Sequence, residues 1–503
     1  MEYNMDMQSP WERQAPTTAF PKLENDITVD VAIIGGGITG ITAAQLLKEK
    51  GYKVAVLESL RIAKGSTGKS TGNLYTITEY SMAELEGKYS ISEIKQIVES
   101  RRKGMDFIRG NVQEFQIDCN YKTQPMFIFE NDDSIKMEKE YDLAAEIAIP
   151  YSELKPDPFP FSFKKGIKYE DQAQFNPYSY TKTIAENITG NGCDIYENSR
   201  VIDIDENESE ITLKTKDATI TANYIIHATH TPMGIELQYH TTLGPYREYG
   251  IAVTLKNSNY PEGIYWGHYN NQKYSIRSYF TKDETYLICV GSPFKVGQAK
   301  NNQAHIEDLI TFVKQNFEVE KVTHRWGAQN YKPADLLPYI GEKSTGSKQY
   351  IATGFSADGL VYGVLAAMII CDEISDVNNP YSELYKASRH QPLKAAKKFA
   401  KENLNVAAQI IKDYTLIGLD KQALDLSLKD GKVMQVDGKM LAIYKDEVGT
   451  ITALSAICPH MGCVVHWNNA EESWDCPCHG SRFNVCGDVI EGPAYKALEK
   501  KEF

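Results

Sequence analysis

Two short stretches near the C-terminal end carry the residues best suited to metal chemistry: Cys458-Pro-His460-Met-Gly-Cys463 and Cys476-Pro-Cys478-His479-Gly480-Ser481. Each offers one thiolate and one imidazole. Together they can hold a [2Fe–2S] cluster unsymmetrically, with Cys458 and Cys476 on one iron and His460 and His479 on the other. Exchanging two anionic ligands for neutral ones raises the reduction potential of such a pair. Cys and His at short spacings are also zinc ligands, so a zinc ribbon is the competing reading. A ribbon accounts for four ligands but leaves Cys463, Cys478 and the Gly-Ser and Gly-Pro-Ala that follow without a purpose.

Both loops together resemble the Rieske domain of cytochrome bc1 complexes. That resemblance implies a disulfide between Cys463 and Cys478 that clamps the two loops. It also makes Gly487-Asp-Val-Ile-Glu-Gly492-Pro493-Ala494 the counterpart of the proline loop that covers the cluster. Ser481 stands where the family has a hydroxyl donor to a bridging sulfide. Phe483 stands where the respiratory proteins have a tyrosine donating to a ligand sulfur, and Pro459 where a small polar residue is commoner. With one donor missing, the resemblance implies a potential below that of the respiratory proteins.

The remainder of the chain must position this chemistry and feed it. A length of 503 residues corresponds to about three domains, and 42% hydrophobic with 24% charged residues is ordinary for a soluble chain. The net charge of −13 argues against a nucleic-acid partner, because nothing is set out to neutralise phosphates. No apolar run is long enough for a transmembrane span. The opening MEYNMDMQSPWERQ is acidic and lacks the apolar core of a secretory signal, so a cytoplasmic protein is expected. Of the cysteines, Cys119, Cys193, Cys289 and Cys371 are isolated and read as buried thiols. A lasting disulfide in a reducing compartment would need burial.

A second chemical signal lies near the N-terminus. Asp30-Val-Ala-Ile-Ile-Gly35 is an apolar β-branched run of the kind found in buried parallel strands. Gly35, Gly36, Gly37, Ile38, Thr39 and Gly40 follow, opening a stretch to Lys50 with helical spacing. Gly51 ends it, and Tyr52–Leu57 is the next strand, closed by Glu58. In this βαβ unit Gly35 makes the tight turn, Gly37 lets a pyrophosphate approach, and Gly40 permits close helix–strand packing. The helix N-terminus faces the phosphates, and Glu58 is placed to accept from a ribose. Gly65-Ser66-Thr67-Gly68-Lys69-Ser70-Thr71-Gly72-Asn73 is a second small-residue loop suited to backbone contact with a pyrophosphate.

From here to about residue 375 the chain resembles the D-amino-acid oxidase superfamily, which includes glycine and sarcosine oxidases. The resemblance rests on Asn176-Pro177 before a helix, Glu197-Asn-Ser-Arg-Val201, Tyr224-Ile-Ile-His-Ala228-Thr229-His230, Asp335-Leu-Leu-Pro338-Tyr-Ile-Gly341, and Tyr350-Ile-Ala-Thr-Gly354-Phe-Ser-Ala-Asp358-Gly359-Leu360. It implies that the dinucleotide is FAD and that the Val201 backbone meets the adenine. It further implies that Gly354, Asp358, Gly359 and Leu360 bring a helix N-terminus to the flavin, where its partial positive charge favours the reduced anion. Two stretches, about 80–170 and 240–325, are expected to build the substrate domain. In related oxidases such a sheet covers the flavin face, with Arg and Tyr holding a substrate carboxylate. The candidates here are Tyr246, Arg247, Arg277 and Tyr279, with Trp326 and Gln329 behind them.

The expected architecture is an α/β, Rossmann-like FAD-binding domain over 29–380 with an interleaved α+β substrate domain, and an all-β Rieske domain over 418–503. Residues 1–28 form an irregular lead anchored by Trp11 and Phe20. Residues 381–417, with Ala396, Phe399, Leu404, Ala407 and Ile410 among lysines, form a helix that links and packs the two domains; a basic membrane-surface helix is the weaker alternative. The expected function is oxidation of a small amine or amino-acid-like molecule by hydride transfer to FAD, with electrons passed singly to the cluster and on to an acceptor that could be a protein. Two alternatives stay open: an oxygen-using oxidase with a structural or sensing cluster, and a reductase for a docked partner.

Overall fold

The computed structural model describes all residues except 1–6, 15–17, 134, 156–159, 208–209, 235, 270–271, 390–391, 417–425 and 503. Pro16 of the lead and the expected boundary at 417–418 lie outside the described residues.

The first strand, Ile27–Ile34, pairs in parallel with Val54–Leu57 on one side and Thr219–His227 on the other. Cys193–Tyr196 and Gln349–Thr353 extend the parallel sheet outward, and Tyr339–Glu342 closes one edge antiparallel. Val54–Leu57 is buried at every residue, as a strand covered on both faces must be. The crossover helix Ile38–Glu49 packs against Gly359–Ile374, a helix buried around nearly its whole circumference. Ile91–Glu114, started by a Ser90–Glu93 capping box, lies on that buried helix at Gly104, where a side chain would press on the Val361 carbonyl. The strand ends thus meet one helix N-terminus from each side of the crevice where α/β sheets bind ligands.

Among the described residues a second sheet contains nine strands. Its order is Val319–Pro333, Leu243–Leu255, Thr285–Lys295, Gln272–Phe280, Ile264–Tyr269, Lys122–Glu130, Lys165–Gln174 and Asn73–Leu74, with Tyr151–Glu153 on the Lys165–Gln174 strand. The segments expected over 80–170 and 240–325 therefore meet, through the parallel pairing of Lys122–Glu130 with Ile264–Tyr269. The sheet continues past both, to Gln174 and Pro333.

Trp11 of the lead is fully buried, and its indole N–H donates to the Ser70 carbonyl at 2.9 Å, so the lead packs on the 65–73 loop. The helix Pro392–Leu416 spans two bodies: Glu402 pairs with Lys295, while Val406 packs into the C-terminal core and Asp413 lies 3.1 Å from His466. The C-terminal domain is all-β: a sheet of Asp430–Val436, Lys439–Lys445 and Ile451–Ser455, and one of His466–Asn468, Ser473–Asp475, Arg482–Phe483 and Val489–Glu491. Its first hairpin turns at Asp437-Gly438, both at positive φ (47° and 74°), the geometry of a two-residue hairpin loop. Among the described residues no helix is long and apolar enough to cross a membrane.

Candidate functional site

A cavity of about 310 Å³ opens at the carboxyl ends of the parallel strands. Gly35, at φ +110°, turns the chain out of the first strand, where a side chain would overlap the Ala228 carbonyl. Gly40 sits against the Gly35 carbonyl, leaving no room for a Cβ. Gly37 caps the crossover helix, and the next amide, Ile38 N–H, donates to Thr67 Oγ1 at 3.0 Å, which ties the second small-residue loop to the first. Gly35, Gly37, Ile38, Thr39, Glu58, Ser66, Thr67, Thr71, Val201, Asp358, Gly359 and Leu360 all line the cavity. Gly36, Gly40 and Gly354 stand behind the wall. Glu58 accepts from the amides of Gly36 (2.8 Å) and Leu60 (2.7 Å), and burial raises its pKa against those bonds. The cradle fits a dinucleotide: two helix N-termini and two small-residue loops converge on one space.

The opposite wall comes from the large sheet and is charged. Glu248, Trp266, Lys273, Ser275, Val290 and Asn330 face the cavity, with Glu79 from the connection after Asn73–Leu74. Lys273 Nζ lies 3.8 Å from the Trp266 ring centroid and donates to the Glu79 carbonyl at 2.7 Å. The Glu79 carboxylate is taken by Lys332 and by the Ala357 amide (3.0 Å). Burial opposes its charge, but Lys332 and then Lys273 bring it down to about 2. Burial lowers the pKa of Lys273, with Glu79 opposing, and raises that of Glu248, with Lys332 opposing.

The four substrate candidates lie off this wall. Arg247 is absent from the cavity lining and pairs with Glu471 of the C-terminal domain. Arg277 donates to the carbonyls of Thr71 (3.0 Å), Gly72 (2.9 Å) and Phe175 (3.3 Å), closing the 65–73 loop onto the sheet. Tyr279 accepts from Asn176 Nδ2 at 3.1 Å and packs edge-on to Trp11, and the Tyr246 hydroxyl donates to Glu402 at 3.3 Å. Trp326 is buried with its N–H on the Lys69 carbonyl, whereas Gln329 does line the cavity. Glu79, Glu248, Lys273 and Lys332 were missed. No sequence signal singled them out: Glu79 lies in a connection, and Lys273 and Lys332 sit in strands with several other polar residues.

The second site lies next door. Cys458 and Cys476 are buried with their sulfurs in hydrogen-bonding contact. The amides of His460 and Met461 and the Ser481 hydroxyl point at Cys458, and those of Cys478 and His479 at Cys476. His460 and His479 rings stand 5.0 Å apart, and Nδ1 of each is buried without a partner. Two orphaned imidazole nitrogens opposite two amide-surrounded thiols fit the donor set of a metal site. No three of these four donors lie within 4.8 Å of one another, as a single tetrahedral ion would require, so the set fits a two-iron cluster better than zinc. Cys463 and Cys478 are joined, with Cys476 Sγ within 4.8 Å of both. Ser481 is fully buried, and Phe483 belongs to the domain core.

The histidine face is turned inward. His460 Nε2 contacts the Gly234 carbonyl at 3.0 Å, and His240 packs on His460 and His479 at 4.5 and 5.6 Å between ring centroids. Burial, helped by both neighbours, lowers His240 to about 3, so it stays neutral. Ile490, Glu491 and Gly492 of the C-terminal domain form part of the dinucleotide cavity wall.

Docking is fixed by buried charge. Arg247 and Arg482 share Glu471, Arg482 also pairs with Asp475 (2.9 Å), and Glu491 faces both arginines. Burial opposes ionisation of Glu471 and Glu491, yet the arginines hold Glu471 well below the carboxylate range and Glu491 at about 2. A depressed carboxylate contributes stability that is complete above its unfolded pKa of about 4.3 and is lost as pH falls through its folded value. The interface should therefore hold at neutral pH and loosen between about pH 4 and 2. Arg247→Ala, which breaks a buried pair, should cost about 3 kcal/mol. Melting followed by flavin fluorescence and by the visible circular dichroism of the cluster measures both; an unchanged melting temperature would show the pair to be dispensable.

Residues 30–373 match the family described as FAD dependent oxidoreductase, and 419–502 the Rieske [2Fe-2S] domain. The chain is 31% identical over 496 residues to the Rieske 2Fe-2S iron-sulfur protein YhfW of Bacillus subtilis, covering 97% of this chain and 96% of the relative. It is 26% identical over 365 residues to the γ-glutamylputrescine oxidoreductase of Escherichia coli, covering 70% and 85%. Among solved structures, glycine oxidase from Geobacillus kaustophilus superposes with a TM-score of 0.61 at 16% identity, over 72% of this chain and 99% of that one.

Proposed function

Because the chain belongs to the FAD dependent oxidoreductase family and ends in a Rieske [2Fe-2S] domain, we propose that it oxidises a small amine or amino-acid-like substrate and passes the electrons singly to its own cluster. The carrying observation is the shared wall: one cavity is bounded by the dinucleotide loops, by the charged sheet and by Ile490, Glu491 and Gly492 beside the cluster. Bound FAD supplies two-electron chemistry by accepting hydride, and the cluster takes one electron at a time. The names of the γ-glutamylputrescine oxidoreductase and glycine oxidase relatives support an amine or amino acid as the substrate class.

The chain's own residues do the rest. Gly37 and the helix N-termini hold the pyrophosphate and the flavin. Glu79 is occupied by Lys332, whereas Lys273 and Glu248 have no ion pair within 4.0 Å among the described residues. Lys273 suits a substrate anion and Glu248 its ammonium group. Glu248, raised by burial, takes the ammonium proton and frees the lone pair that hydride loss requires. The electrons then leave for a one-electron acceptor.

An anaerobic panel of amines and amino acids tests this reading, with flavin bleaching as the readout. An amino acid or amine should bleach the flavin. Lys273→Met should raise KM for carboxylated substrates about tenfold or more, the worth of a charged hydrogen bond. Bleaching by none of the panel, together with rapid bleaching by a protein reductant, would instead identify a reductase for a docked partner. Stoichiometric peroxide in air would identify a plain oxidase.

A further inference from the structure

We propose that Gln329 and Tyr331 are positioning residues for electron transfer, holding the cluster loop at a fixed distance from the flavin; this rests on the electron route just proposed. Both belong to Val319–Pro333, two residues apart on one face, and both line the cavity. Gln329 Nε2 donates to the Gly480 carbonyl at 2.8 Å and to Tyr331 Oη at 2.9 Å. Tyr331 Oη lies 3.3 Å from the carbonyls of His479 and of Gly492, and its single proton serves one of them at a time. His479 is an expected iron ligand. A side chain on the cavity wall is thus one hydrogen bond from the backbone of a ligand residue.

The contact leaves no room for a side chain at Gly480. A Cβ at Gly480, which has φ +80°, would stand 2.8 Å from Gln329 Nε2, 2.8 Å from Pro245 Cβ and 3.0 Å from Tyr331 Oη. Any side chain there would push the His479 loop away from the flavin domain. Tyr331 is buried, its hydroxyl enclosed by Gln329 and the carbonyls of His479 and Gly492, so it acts by position.

The electron balance is simple. The substrate amine loses two electrons and two protons to become an imine, and the protons pass to water. Each transfer across this contact lowers one ferric ion of the cluster to ferrous, and an external one-electron carrier removes that electron before the next.

The experiment is laser-flash reduction of the holoenzyme by photogenerated 5-deazariboflavin radical, which needs no substrate. In the wild type an electron should redistribute between flavin and cluster in a phase independent of protein concentration. Tyr331→Phe, which deletes only the hydroxyl, and Gln329→Met should each slow that phase several-fold. Iron content, flavin content and the cluster's EPR spectrum, measured on the same samples, should not change. An undiminished rate in both variants overturns the proposal, as does a slowed rate explained by lost or altered cluster, which would mark a purely structural role. If the wild type shows no such phase, it is the proposed electron route that fails.

Discussion

Replacing Cys476 by serine should strip the iron from the protein and leave its flavin in place. Cys476 is buried, its sulfur touches Cys458, and backbone amides of Cys478 and His479 point at it, as donors around a metal-bound sulfur do. Serine keeps the volume and removes the ligand. The glycine loops and helix N-termini of the dinucleotide cradle belong to another domain, so flavin content should stay near that of the wild type. His479→Ala should do the same, because its orphaned Nδ1 is the atom expected to bind iron. Wild-type protein should carry about two irons and two acid-labile sulfides per chain; either variant should carry almost none. Stoichiometric zinc without labile sulfide in the wild type would revive the ribbon.

Gly37→Val should do the reverse: folded protein with its cluster but without colour from flavin. Gly37 has φ −80°, ordinary for any residue, so valine there does not strain the backbone. Its Cβ would instead point toward Thr67 Oγ1 at 3.1 Å, on the cavity wall where the pyrophosphate must approach. Gly40→Val is a poorer test, because its side chain would overlap the Gly35 carbonyl and disturb the fold itself. Flavin and iron released from the same gel-filtered sample decide the matter. Full flavin occupancy in Gly37→Val would show that the loop does not hold the cofactor.

These two sites were legible in sequence for one reason: each is local. The four expected cluster ligands sit in two tight loops, and the expected cradle is one βαβ unit plus a loop a few residues later. The charged cavity wall was not local. Strand alternation gives the face a side chain occupies but neither its place along the strand nor what crosses it. Ser275 and Arg277 share a face, yet Arg277 is consumed by carbonyls of the 65–73 loop and by Phe175. Tyr246 and Glu248 share a face, yet Tyr246 is covered by Glu402 of a helix far along the chain. Arg247, chosen as a carboxylate clamp, anchors the cluster domain through Glu471, a pairing across 224 residues that no spacing rule reaches. The inward turn of His460 and His479 was invisible in the same way, because Gly234 and His240 belong to the other domain.

The most direct test of the account is anaerobic reduction by an oxidisable amine or amino acid, with the flavin absorbance and the cluster's EPR signal followed in one sample. The account predicts that the signal of the reduced cluster grows as the flavin bleaches, and that Cys476→Ser bleaches without it. A flavin that bleaches fully while the wild-type cluster stays oxidised would contradict it, and would leave the cluster outside the path of the electrons.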